Sequence, residues 1–124
     1  MENGKLKKEN IVSDKSFAFA VRIVKLYQYL ANNKKEYVLS KQILRSGTSI
    51  GANVSEVQQG QSKKDFLMKM NISLKECSET KYWIKLLAAT DYIDSKMKES
   101  IYNDCVELEK LLTAIVNKTA KNIK

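Results

Sequence analysis

No proline interrupts the 124 residues of this chain, and only four glycines punctuate it. Proline inside a helix removes a backbone hydrogen bond and clashes with the preceding turn. A chain without it is free to build long helices, and its apolar residues recur at helical rather than strand spacing. The first periodic segment runs from Asp14 to Asn33, with Ser13 or Asp14 as cap and Phe17, Ala20, Val21, Val24, Tyr27 and Ala31 on one face. Asn32, Asn33, Lys34 and Lys35 close it, as turn formers and cations suit a helix C-terminus. The second runs from Glu36 to Gln59 on Leu39, Ile43, Ile50, Val54 and Val57. The third opens on a capping box, Ser62-x-x-Asp65, just after Gly60. It continues to Thr90 on Phe66, Met70, Leu74, Cys77, Ile84 and Ala88. The fourth starts at Asp94 or Ser95 and runs towards Lys121. Its residues Met97, Ile101, Cys105, Leu108, Leu112, Ile115 and Thr119 recur like the heptad seam of a packed bundle.

The connections between these segments are short, at 33–35, 60–61 and 92–94, and short connections make consecutive helices antiparallel neighbours. The expected fold class is therefore all-α, an antiparallel up-down four-helix bundle spanning residues 13–121. Residues 1–12, polar and basic with Lys5, Lys7 and Lys8, read as a flexible arm. Gly47 and Gly51 sit inside the second helix, where each costs about 1 kcal/mol against alanine. Either a neighbouring backbone approaches closely there, or the helix kinks.

The first helix carries more apolar surface than one bundle face needs. Phe19, Ile23, Leu26 and Leu30 form a second stripe, well round from Phe17 and Val21. Met68, Ile72, Trp83 and Leu86 do the same on the third helix. The functional reading of these two stripes is a subunit interface with Trp83 as anchor. The plain reading is a wide core face with scattered surface hydrophobes.

Lysine and arginine outnumber aspartate and glutamate by 22 to 14, a formal charge of +8. Such a balance attracts polyanions, or only keeps a protein in solution. The cations gather on and near the first helix. Lys15, Arg22, Lys25, Lys34 and Lys35, with Tyr29 as a base-stacking ring and Lys41 and Arg45 as an extension, form the candidate nucleic-acid-binding set. The expected partners are a second copy of the chain, RNA or another nucleic acid, and alternatively a protein. No stretch is long and apolar enough for a membrane span, and Met1 to Asn10 lacks the apolar run of a signal peptide, so a cytoplasmic location is expected.

The sequence offers little to catalysis. It holds no histidine, the commonest general base and metal ligand, and two cysteines alone cannot complete a zinc site. Cys77 and Cys105 fall on apolar faces, where buried free thiols are the default. Glu76/Glu79 and Asp104/Glu107 have the spacing of bundle carboxylate ligands but no histidine accompanies them. Gly47-x-x-x-Gly51 is not followed by the Gly-Lys-Ser/Thr of a phosphate-binding loop. A non-enzymatic protein with no catalytic residue, metal or cofactor is expected.

Three blocks carry a family resemblance: Leu44 to Glu56 (LRSGTSIGANVSE), Ser62 to Leu67 (SKKDFL) and Leu74 to Leu87 (LKECSETKYWIKLL). In this order and spacing they resemble the bacterial family of 23S rRNA intervening-sequence proteins, also called S23 ribosomal proteins, over about residues 14–118. Arg45, Ser49, Ile50, Asn53 and Glu56 match the family pattern one by one. Val57 stands where many relatives carry glycine, and Gly60 follows later, which places the chain in a subgroup. The resemblance implies a four-helix bundle assembled as a ring-shaped homopentamer. It also implies a relationship to insertions within large-subunit rRNA genes. A related branch, the accessory proteins of diversity-generating retroelements, binds reverse transcriptase and nucleic acid. The polar residues of the matched blocks, Arg45, Ser49, Asn53, Glu56, Glu76 and Glu79, read either as a buried network fixing helix register or as a functional surface.

Overall fold

The seam on the fourth periodic segment becomes one wall of the core. Ile101, Cys105, Leu108, Leu112, Ile115 and Thr119 are all buried, one side chain per turn of a single helix. The structure, a computed structural model, describes residues 4–57 and 62–123, the side chains of 4–9 excepted. It consists of α1 (Gly4–Asn33), α2 (Leu39–Glu56), α3 (Lys63–Ala89) and α4 (Ser95–Lys121), with no strand among the described residues. Each helix packs on its two neighbours in a closed square: α1 on α2 and α4, α3 on α2 and α4. The diagonal pairs bring no Cα atoms within 8 Å of each other.

Cross-helix pairs give the directions. Ser46 meets Thr80 at 3.0 Å, Ile50 meets Ser73 at 2.9 Å and Glu56 meets Lys69 at 2.5 Å, so α3 runs against α2. Lys15 pairs with Glu107 at 3.0 Å and Arg22 with Asp104 at 2.7 Å, so α4 runs against α1. Gly47 lies against Ile23 and Gly51 against Ser16, which sets α2 against α1. The bundle is antiparallel around its whole circumference.

The two mid-helix glycines mark a close approach. A Cβ built on Gly47 would lie 2.7 Å from Ile23 Cγ1 and 2.9 Å from Cγ2. One built on Gly51 would lie 3.1 Å from the Ser16 carbonyl oxygen. The helix is unbroken from Leu39 to Glu56, so its glycines serve packing. That contact also decides which face of α1 turns inward. Val12, Phe19, Ile23, Leu26 and Leu30 are in the core, while Phe17, Val21 and Val24 are exposed. This reverses the sequence reading, which put Phe17, Val21 and Val24 inside and kept Phe19, Ile23, Leu26 and Leu30 for a subunit contact. Both faces are apolar, and only the second presents Ile23 to the notch at Gly47.

Two further expectations change. Residues 4–12 belong to α1, with Val12 fully buried, so the expected arm over 1–12 is helical from Gly4 onward. The physical reason is that burial of Val12 continues the inward stripe one turn before Ser16. The expected turn at 60–61, and the second helix's last two residues as expected, lie outside the described residues.

Helix α2 starts at Leu39, three residues later than the periodicity predicts, and Glu36, two residues before the N-cap Val38, supplies the carboxylate that caps it. Glu36 Oε2 accepts from the Val38 and Leu39 backbone N–H groups at 3.2 and 3.0 Å, and Oε1 from Ser40 N–H at 2.7 Å. The Ser40 hydroxyl donates back to the Glu36 carbonyl at 2.8 Å. A carboxylate so placed satisfies donors that the helix leaves unpaired and meets the positive end of its dipole. Burial of the carboxyl acts to raise its pKa, but the backbone donors prevail and hold it below its ordinary 4.5. The other starts follow the sequence more closely: Ser62 Oγ accepts from Asp65 N–H at 3.2 Å, and Asp94 Oδ1 from Met97 N–H at 2.8 Å. Asp91, at φ 67°, ends α3 where glycine is usual, and Tyr92 N–H reaches back to the Leu87 carbonyl at 2.9 Å.

Two outcomes test this packing. Gly47→Ala should lower stability in urea by about 1–2 kcal/mol, since crowding against Ile23 outweighs the gain in helix propensity. A gain of about 1 kcal/mol would mean that Ile23 yields. Glu36→Gln should cost roughly 0.5–2 kcal/mol at neutral pH. Because the folded carboxyl has the lower pKa, its contribution is complete above 4.5 and fades as pH falls through the folded value. The stability curves of the two proteins should therefore converge on acidification.

Candidate functional site

The candidate cations divide into those tied to other helices and those left to solvent. Lys15 and Arg22 bridge α1 to α4, and the second guanidinium nitrogen of Arg22 reaches Ser100 Oγ at 2.6 Å. Arg45 bridges α2 to α3, at 3.4 Å from Glu76 and in direct contact with Glu79. Lys25, Lys34, Lys35 and Lys41 are exposed and form no ion pair among the described residues. The eight residues therefore do not form one patch. Lys34, Lys35 and Lys41 gather where α1 turns into α2, and Lys25 lies further down α1. Tyr29 is half-buried against the core, with the Lys34 ammonium 6.0 Å from its ring centre, and so is poorly placed to stack on a base.

The charge around this turn is one-sided. From Ile23 to Ser55 the only acidic residue is Glu36, against Lys25, Lys34, Lys35, Lys41 and Arg45. The Glu36 carboxylate is buried and committed to the start of α2. Lys35 adopts φ 54°, which directs the chain so that Glu36 N–H donates to the Leu30 carbonyl at 3.0 Å. The connection is thus held from both sides. It displays Tyr37, 52% exposed, and Val38, 69% exposed. Sequence reasoning passed over both because neither fits a helical stripe. The signal that could have found them is an aromatic residue within a run of cations.

Of the polar residues of the matched blocks, Ser49 and Asn53 bond within α2, while Arg45 and Glu56 cross to α3. Ser49 Oγ donates to the Arg45 carbonyl at 2.6 Å, and Asn53 Nδ2 to the Ser49 carbonyl at 2.9 Å. Arg45 then crosses to Glu76 and Glu79, Trp83 Nε1 donates to Glu79 at 3.0 Å, and Glu56 crosses to Lys69. The cross-helix contacts lie at the rim of the seam rather than buried within it, as one reading expects: the Arg45 side chain is 49% exposed. Long charged side chains keep their heads in water while their stems cover the seam. Further round, the Glu109 carboxylate at 2.8 Å holds the Lys81 ammonium above its ordinary value.

The third-helix stripe divides by depth. Met68 is 53% exposed, whereas Ile72, Trp83 and Leu86 are half-buried. Trp83 packs on the core and meets Tyr82 edge to face, with ring centres 5.0 Å apart. Between α1 and α2 a shallow groove of about 470 Å³ runs beside Phe17, over Ala20, Thr48, Gly51 and Ala52. Its polar lining is Ser13, Asp14, Thr48 and Ser55, which includes no acid–base pair.

Cys77 and Cys105 are free and buried, the Cys105 thiol 3.5 Å from the Cys77 carbonyl. Contact between the two thiols, with burial, pushes Cys77 far above the usual thiol range, so it is no nucleophile. Among the described residues no group of three or more metal-ligating side chains converges, and no helix is long and apolar enough to cross a membrane.

Comparison with known proteins agrees with the bundle. One solved structure, of a protein of unknown function from the S23 ribosomal protein family of Bacteroides thetaiotaomicron, is 58% identical and superposes with a TM-score of 0.87. The match covers 89% of this chain and 98% of that one. No curated protein matches. Residues 8–114 match the family described as 23S rRNA-intervening sequence protein, and the chain belongs to that family.

Proposed function

We propose that this chain is a non-enzymatic assembly protein whose oligomer binds RNA or other nucleic acid through electrostatics. The observation that carries the reading is the four exposed lysines Lys25, Lys34, Lys35 and Lys41, which form no ion pair among the described residues. Phosphate groups are the polyanion such a surface meets most strongly, and their binding releases counterions. Lys15, Arg22 and Arg45 sit against carboxylates that offset their charge, so they contribute less than the unpaired lysines.

Self-assembly is the second half of the proposal. Phe17, Val21 and Val24 leave an apolar stripe on the outside of α1, with Phe17 71% exposed. Met68 and Tyr82 stand out on α3, which is diagonal to α1. Two different patches on opposite flanks suit a heterologous contact, and such contacts close into rings. The family resemblance suggests five copies. The alternative, a protein-interaction scaffold, uses the same apolar stripe for a different chain.

Gel-shift titration tests the binding half. Lys25→Glu with Lys41→Glu should weaken binding to structured RNA, and the slope of log affinity against log salt should flatten by roughly one unit for each phosphate that is no longer neutralised. Unchanged affinity in the double variant would reject this surface. Sedimentation tests the assembly half. Phe17→Asp with Val21→Asp should release monomer at micromolar concentration without unfolding, because both side chains are exposed in the single chain. An oligomer that survives the pair would move the interface elsewhere.

A further inference from the structure

We infer that the α1–α2 turn is a preorganised site for an unpaired nucleotide, with Tyr37 as the stacking ring and Lys34, Lys35 and Lys41 as the phosphate contacts. This rests on the nucleic-acid reading above and adds the form of the ligand.

The turn is rigid where most loops are mobile. Glu36 ties Val38, Leu39 and Ser40 to its carboxylate, while its own N–H is held by the Leu30 carbonyl. The backbone of the turn is therefore already held, and a ligand has only the exposed side chains left to order. On this fixed frame Tyr37 is half exposed, and no ring contact or hydrogen bond engages its side chain among the described residues. Val38 beside it is more exposed still and widens the apolar shelf.

The surroundings select an anion. Lys34 and Lys35 precede the ring, and Lys41 follows in the first turn of α2. The adjacent α3–α4 connection, at the same end of the antiparallel bundle, carries Asp91 and Asp94, and the helix ends that flank it carry Lys85, Lys96 and Lys98 with Glu99, so that neighbourhood balances to no net charge. An aromatic face among cations is the arrangement that holds a single strand, each base having a face to stack and each phosphate a charge to meet. A duplex keeps its bases stacked inside and can use only the cations. The preference for unpaired strands is what separates this site from a basic surface alone.

Fluorescence anisotropy at about 50 mM salt, with short unstructured oligo(U) and oligo(dT) strands and a blunt duplex of equal length, tests the inference. Tyr37→Ala should weaken binding of both single strands about tenfold and leave the duplex within about twofold. Tyr37→Phe, which keeps the ring, should stay close to the parent protein, and all variants should melt with it because Tyr37 is outside the core. A loss confined to oligo(U) would make the ligand RNA, and equal loss on both strands would make it any single strand. If Tyr37→Ala changes nothing while Lys34→Glu with Lys35→Glu abolishes all binding, the turn supplies charge only; the stacking site is then wrong and the electrostatic reading stands. If the parent protein binds neither strand nor duplex, both readings fall. If Tyr37→Ala instead weakens attachment to phosphatidylserine vesicles and not to the oligonucleotides, the occupant is a membrane surface and the inference is overturned.

Discussion

Helix α1 could face inward on either of two apolar stripes, and one contact chooses between them. Ile23 lies against Gly47, where even a Cβ would come within 2.7 Å, and one further turn along α2 Gly51 admits the Ser16 backbone. A rotation of α1 that brought Phe17 and Val21 inward would move Ile23 out of the notch and leave an unfilled gap beside two glycines. Close-packed interiors do not tolerate such gaps cheaply. The same contact fixes the depth of Arg22 and Lys15 against α4, and it determines which apolar residues are left for a partner. Glycine inside a helix lowers its local stability, and here the cost is offset by the approach it permits.

Polar side chains then set the register that hydrophobic contact alone leaves loose. Thr80 meets Ser46, and Ser73 meets the Ile50 carbonyl, inside the α2–α3 seam. Around the rim Arg45, Glu76, Glu79 and Trp83 close one network, and Lys81 with Glu109 links α3 to α4. The buried bonds matter more than the exposed ones, since an unpaired hydroxyl in the core carries a full desolvation cost. Exposed pairs contribute little each and mainly bias the sliding of one helix on another.

Much of the fold was legible because α4 and most of α3 place one apolar residue per turn on a single face. The caps Ser62 and Asp94 were legible for a local reason too, a side-chain oxygen within reach of a backbone N–H. What was not legible depends on a neighbour. The inward face of α1 is decided by the absence of side chains on α2, and periodicity within α1 contains no trace of it. The buried charge of Glu36 is likewise invisible in composition, which counts it as one more surface acid. The cations were legible as a set, but their division into bridging Lys15, Arg22 and Arg45 and solvent-facing Lys25, Lys34, Lys35 and Lys41 needs the positions of carboxylates tens of residues away.

Separation of the two surfaces is what makes the proposed functions compatible. The exposed stripe of α1, Phe17 to Val24, occupies the middle of a helix about 45 Å long at 1.5 Å per residue. The one-sided cations lie beyond it, from Lys25 to the turn at Lys35 and on to Lys41. Phe17 and Asn33, where α1 ends just before the turn, are sixteen residues apart along the helix, roughly 24 Å at 1.5 Å per residue. In the proposed assembly a copy docked on the stripe would leave the turn uncovered. Repeating a weak site around a ring raises avidity without any new contact, because the second engagement is intramolecular. On the proposed function a modest charge on each chain would then suffice, and the Glu36 clasp, which holds the backbone of Val38, Leu39 and Ser40, would count for more than the number of lysines.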